Sequence, residues 1–185
     1  MTQLKAQITL EEFLALPEGD ITYELVDGEL KPKMAPKRFH SRVTGTVYTL
    51  LTPWAQSRGE VGIEWAVTLK RKGKNWVPVP DLLYVSFSRL NSDVIEDKPC
   101  PIPPDLAIEI ISPDQSFGEM SAKATDYLEA GVMRVWVLDA KAKTVTVFYP
   151  DARPQTKTGE DSLADDLLTE LPITPQQIFQ QAGIP

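Results

Sequence analysis

The stretch PDLAIEIISPD, residues 104–114, constrains the fold more than any other part of the chain. Within it Leu106, Ala107, Ile108, Ile110 and Ile111 surround Glu109. Successive strand residues point to opposite faces, so a strand that is apolar at both parities is buried on both faces of its sheet. An unpaired ionised carboxylate in that setting costs several kcal/mol or takes up a proton. Glu109 therefore requires a basic partner, a hydrogen-bonded network or a bound cation.

Elements flank this strand in an order that suggests how it is covered. Thr9 with Glu12 forms a capping box for a short first helix in TLEEFLAL. ITYELVDGEL carries Asp27-Gly28 between two strand-like halves, which predicts an N-terminal β-hairpin. From Arg38 to Arg58, Val43, Val47, Leu50, Leu51 and Trp54 follow helical spacing, with Pro53 placed to kink or shorten the last turn. Strands are expected near VGIEWAVTL, VPDLLYVS and DLAIEII. A helix follows in GEMSAKATDYLEAGV, with Met120, Ala124, Tyr127 and Leu128 as its stripe and Gly131 at its C-terminal end. RVWVLDA and TVTVFYP form a further hairpin, and a last helix starts at Thr174-Pro175. The order strand, strand, strand, helix, strand, strand predicts an α/β fold, a mixed central sheet flanked by helices.

A length of 185 residues, with 42% hydrophobic and 24% charged residues, fits a single globular domain over residues 1–185. The start MTQLKAQITL lacks the features of a secretory signal, and no run approaches the roughly 18 apolar residues of a membrane span, so a cytoplasmic protein without membrane contact is expected. The single Cys100 agrees with a reducing compartment and reads as a structural bystander. A net charge of −7 argues against coating nucleic acid through the overall field, while leaving room for local basic patches. KRKGKN at 70–75 reads as a solvated hairpin tip, EDSLADD as a solvated acidic turn, and the four tryptophans as core or interface residues.

Asp81 follows Pro80 at the mouth of one apolar strand and Glu109 lies within another. Two carboxylates from adjacent strands are hard oxygen ligands of the kind Mg²⁺ or Mn²⁺ takes, with waters completing the shell. Lys123, about one turn into the following helix, can fold back toward them to stabilise charge on a phosphate, or it can pair with Asp126 three positions on.

Together, VPVPDLLYVS, PPDLAIEIISPD, AKATDYLEAGVMRVWVLDAKAKTVTVFY and ITYELVDGEL followed by FHSRV resemble the Uma-type restriction endonucleases of bacteria, a branch of the PD-(D/E)XK restriction-endonuclease-like superfamily. The resemblance spans nearly the whole chain. It implies a restriction-endonuclease-like fold in which Asp81 is the motif aspartate and Glu109 the acid of the (D/E)XK pair. Ile111 stands where that pair's lysine would be, and the branch displaces the lysine to the next helix, at Lys123. Glu24 matches an additional acidic residue of the branch and His40 a histidine at the start of its helix. The implied activity is Mg²⁺- or Mn²⁺-dependent hydrolysis of DNA, with a homodimer expected because a double-strand cut by one-site subunits calls for two-fold symmetry. The competing expectation is a nuclease-like fold without catalysis that serves as a binding or assembly module.

Overall fold

The computed structural model describes residues 7–17, 19–90 and 97–185. Residues 1–6, part of the segment read for a secretory signal, lie outside it. Among the described residues no helix is long and apolar enough to cross a membrane.

Helix α1 (Leu10–Leu14) starts at the Thr9 capping box. The hairpin of β1 (Tyr23–Val26) and β2 (Glu29–Pro32) turns at Asp27 and Gly28, both at positive φ, 55° and 83°. Two consecutive left-handed residues match the right-handed twist of the paired strands, and glycine occupies the second position without strain. Helix α2 (Arg38–Ala55) ends two residues after Pro53 and buries His40, Val43, Val47, Leu51 and Trp54.

Residues 61–69, read from sequence as a strand region, divide between two sheets. Strand β3 (Gly59–Ile63) stops at Glu64, whose φ of 48° breaks the extended path. Strand β4 (Leu69–Arg71) then pairs with β5 (Lys74–Val77) through a tight turn at Lys72-Gly73, so the basic stretch is a hairpin tip, as expected. Strand β6 (Leu82–Ser86) leads to β7 (Leu106–Ile110), helix α3 (Phe117–Glu129), β8 (Arg134–Asp139) and β9 (Thr144–Phe148). Strand β10 (Gln155–Thr158) carries no alternation that would reveal it in the sequence, and α4 (Pro175–Gln181) closes the chain from its Thr174 cap.

The central sheet runs β10-β9-β8-β7-β6-β3 and is mixed, with β7 and β8 parallel around the α3 crossover. A smaller antiparallel sheet, β2-β1-β5-β4, carries the N-terminal hairpin. Side-chain alternation divides the core in two. Leu82, Ile108 and Trp136 face α2 and α4, whereas Leu83, Ala107 and Val135 face α3 and the smaller sheet. EDSLADD departs from its reading as a solvated turn. Leu163 is buried in the α4-side core, and Asp165 pairs with Arg134 and accepts the N–H groups of Leu167 and Leu168. Its acidic composition concealed a single apolar anchor. Cys100 is a buried free thiol, and Trp76 and Trp136 are fully buried.

Candidate active site

Glu109 shares a face with Ala107, two residues earlier on β7, and so looks toward α3 and the smaller sheet. The antiparallel register ends at Leu82 paired with Ile108, and just beyond it Asp81 meets the N–H of Ile110, the residue after Glu109. Pro78 and Pro80 have no N–H to donate, which keeps the segment before Asp81 out of a regular ladder. Its one amide between them, Val79 N–H, donates to Glu24 Oε1 at 3.0 Å.

Two lysines close the cluster, one from α3 and one from just past β2. Lys123 on α3 reaches Glu109 Oε1 at 2.8 Å and Glu24 Oε1 at 3.0 Å, and Tyr127, one turn further along, donates its hydroxyl to Glu109 Oε1 at 2.8 Å. Lys33, just past β2, reaches Asp81 Oδ1 at 2.9 Å, Val79 O at 3.0 Å and Glu64 Oε1 at 3.3 Å. Asp81 Oδ2 accepts from His40 Nε2 at 2.9 Å and from Ile110 N–H at 2.8 Å. An ionised carboxylate only accepts, so Nε2 carries the hydrogen of that bond. Arg71 bridges Asp27 of the β1–β2 turn and Asp126 of α3, tying together the two elements that bear Glu24 and Lys123.

The five residues read from sequence, Glu24, His40, Asp81, Glu109 and Lys123, thus lie in one connected network. Asp126 is engaged by Arg71, and the Lys123 ammonium goes to the two glutamates instead. Lys33 and Glu64 also join the network, as does Tyr127, which the sequence places only on the apolar stripe of its helix. Tyr127 had a signal, its (i, i+4) spacing from Lys123 on one helix face. Lys33 and Glu64 had none, because tertiary contact alone brings them to Asp81.

Carboxylates outnumber cations here. Four carboxylates, those of Glu24, Glu64, Asp81 and Glu109, face two lysines, Lys33 and Lys123. Burial pushes Glu109 upward, the charges of Asp81 and Glu24 add to this, and Lys123 opposes it. Burial alone would lower Lys123, but the surrounding glutamates outweigh it and raise its proton affinity. Lys33 shifts up for the same reason, through Asp81, Glu109 and Glu64. Asp81 is the exception: burial would raise it, yet the His40 hydrogen bond and the Lys33 charge hold it down to about 2.

These shifts fix opposite pH dependences. Asp81, whose folded value lies below the ordinary 3.8, contributes stability that is present above 3.8 and lost as pH falls toward 2, worth roughly 2 kcal/mol. Glu109, whose folded value lies above the ordinary 4.5, makes the folded protein less stable as pH rises from 4.5 through that value. In metal-free buffer, thermal melts of wild type and Glu109→Gln are therefore expected to diverge in favour of the variant as pH is raised from 4.5 toward neutrality. Parallel melting curves across that range would contradict the raised Glu109.

Among the described residues no three His, Cys, Asp or Glu side chains form a ready-made metal cage. Two neighbouring carboxylates in a cluster where carboxylates outnumber lysines do fit a divalent ion of the Mg²⁺ type, which keeps several waters and takes only one or two protein carboxylates.

Comparison with solved structures assigns the class, a nuclease-like α/β domain. The crystal structure of "a putative nuclease belonging to DUF820" from Anabaena variabilis ATCC 29413 superimposes with a TM-score of 0.82 at 26% sequence identity, covering 95% of this chain and 99% of that one. The Uma2 family model, described as "Putative restriction endonuclease", matches residues 10–176, and the chain belongs to that family. A search of curated proteins finds no match.

Proposed function

We propose that the protein is a metal-dependent endonuclease that hydrolyses phosphodiester bonds of DNA, with Asp81 and Glu109 holding Mg²⁺ or Mn²⁺. The observation that carries this reading is the surplus of carboxylates over lysines where Asp81, just before β6, and Glu109 on β7 come together. Membership of a family described as "Putative restriction endonuclease" supports nucleic acid as the substrate.

When bound, such an ion acidifies water and neutralises charge at the scissile phosphate. The chain's own residues prepare the site for that. His40 N–H and Ile110 N–H fix the orientation of Asp81 and keep it ionised. Tyr127 fixes Glu109, and Glu24 holds Lys123 against it. With its proton affinity raised, Lys123 stays an ammonium group and does not serve as a general base. Its work is electrostatic, stabilising negative charge that grows on the phosphate oxygens in the transition state. Two copies related by a two-fold axis would present two such sites to a duplex.

The test is cleavage of plasmid DNA and of an RNA of matched sequence by the purified protein, with Mg²⁺ and with EDTA. Scission of the DNA that requires the ion is expected. Absence of scission together with absence of divalent-ion binding would favour the assembly-module reading.

A further inference from the structure

Lys33 stands where a cation would. Its ammonium touches a carboxylate oxygen of Asp81, the backbone carbonyl of Val79 and a carboxylate oxygen of Glu64. Two carboxylates and a carbonyl are also the oxygen set that a hard divalent ion takes. The other Asp81 oxygen is already committed to two N–H donors, so Oδ1 is the oxygen left for a cation. Lys33 is also within the electrostatic reach of Glu109, the second carboxylate of the proposed ion site.

Glu64 gives the ammonium somewhere to go. It is 41% exposed at its side chain, whereas Asp81 is 3% exposed. It is also held at a φ of 48°, an uncommon conformation for a residue with a side chain, at the point where β3 ends. Its N–H donates to Asp81 O at 3.2 Å, which fixes it beside the aspartate. A lysine stem has four rotatable carbons, so the ammonium can leave Asp81 and remain on Glu64.

We propose that Lys33 is a resident competitor of the divalent ion: its ammonium holds the cation position on Asp81 Oδ1, and the ion binds by displacing it toward Glu64. This rests on the reading of Asp81 and Glu109 as ion ligands. Its consequence is that Lys33 weakens ion affinity in the absence of nucleic acid, the reverse of what a residue that merely supports the site would do.

The test is calorimetric titration of the full chain with Mn²⁺, without nucleic acid, for wild type, Lys33→Met, Lys33→Gln and Asp81→Asn. Lys33→Met and Lys33→Gln are expected to bind Mn²⁺ about ten- to a hundredfold more tightly than wild type. Mn²⁺ should raise their melting temperatures by more than it raises that of wild type, a readout that also serves if either variant is only marginally folded without the ion. Affinity equal to or below that of wild type in both variants overturns the proposal. Asp81→Asn separates the two levels. Loss of binding there with no gain in the Lys33 variants refutes only the competitor role, while undiminished binding in Asp81→Asn refutes the ion site itself.

Discussion

Glu109→Gln is expected to lose Mg²⁺-supported DNA cleavage by about a thousandfold or more while melting, in EDTA, at or above the wild-type temperature. Glutamine matches the shape of the side chain, and its carbonyl oxygen can still accept the Tyr127 hydroxyl, which lies 2.8 Å from Oε1. What disappears is a negative charge that is buried and repelled by Asp81 and Glu24. Lys123 keeps Glu24 as its partner, so no buried ammonium is stranded. Loss of activity without loss of stability is the signature of a charge kept for function at the expense of folding. The assay compares proteins purified by one protocol, so that a contaminating nuclease would cleave equally in both. Equal rates for wild type and variant would remove Glu109 from the reaction.

The second large effect concerns Lys123. Lys123→Met is expected to lower kcat by about a hundred- to a thousandfold, because under the proposed mechanism it deletes the positive charge that stabilises the transition state. Mn²⁺ affinity should be retained, since the variant frees Glu109 and Glu24 from their ammonium and leaves the carboxylates in place. Single-turnover cleavage together with ion titration separates the two quantities. A variant that loses ion binding in proportion to its rate would mean that Lys123 organises the carboxylates and does not act on the phosphate. The melting temperature is informative too. Removing the lysine leaves Glu24 and Glu109 with no shared cation, so the variant should be less stable than wild type in EDTA and recover when Mn²⁺ is added.

Elements with a strong local signal were legible in the sequence. The Asp27-Gly28 hairpin, the α2 stripe ending near Pro53, the Thr9 and Thr174 caps and the doubly buried β7 each follow from spacing or turn chemistry within a few residues. The 61–69 region reads as strand on composition, but Glu64 at positive φ sends its two halves to different sheets. EDSLADD reads as solvent-facing because acids surround Leu163, and only the packing against α4 reveals the anchor.

The site divides along the same line. Glu109 gave itself away by conflict, a carboxylate in an apolar run, and its compensation turns out to be the basic partner and the hydroxyl that such conflict demands. Lys123 lies on the helix that leaves β7, where it could be reached by reasoning about adjacency. Glu24 and His40 rested on family resemblance, because an acid in a hairpin and a histidine on a helix carry no chemical pattern of their own. Lys33 reaches Asp81 across 48 positions of chain, between the end of one hairpin and the mouth of β6, and nothing local marks it. Pairings of that separation are set by the assembled sheets.

Whether Asp81 and Glu109 together hold a divalent ion is decided by diffraction from crystals soaked in Mn²⁺, recorded to show anomalous scattering. One strong peak is expected, with an oxygen of Asp81 and an oxygen of Glu109 each about 2.0–2.3 Å away and waters completing the shell. A crystal that takes up Mn²⁺ elsewhere while both carboxylates keep their lysine partners would contradict it.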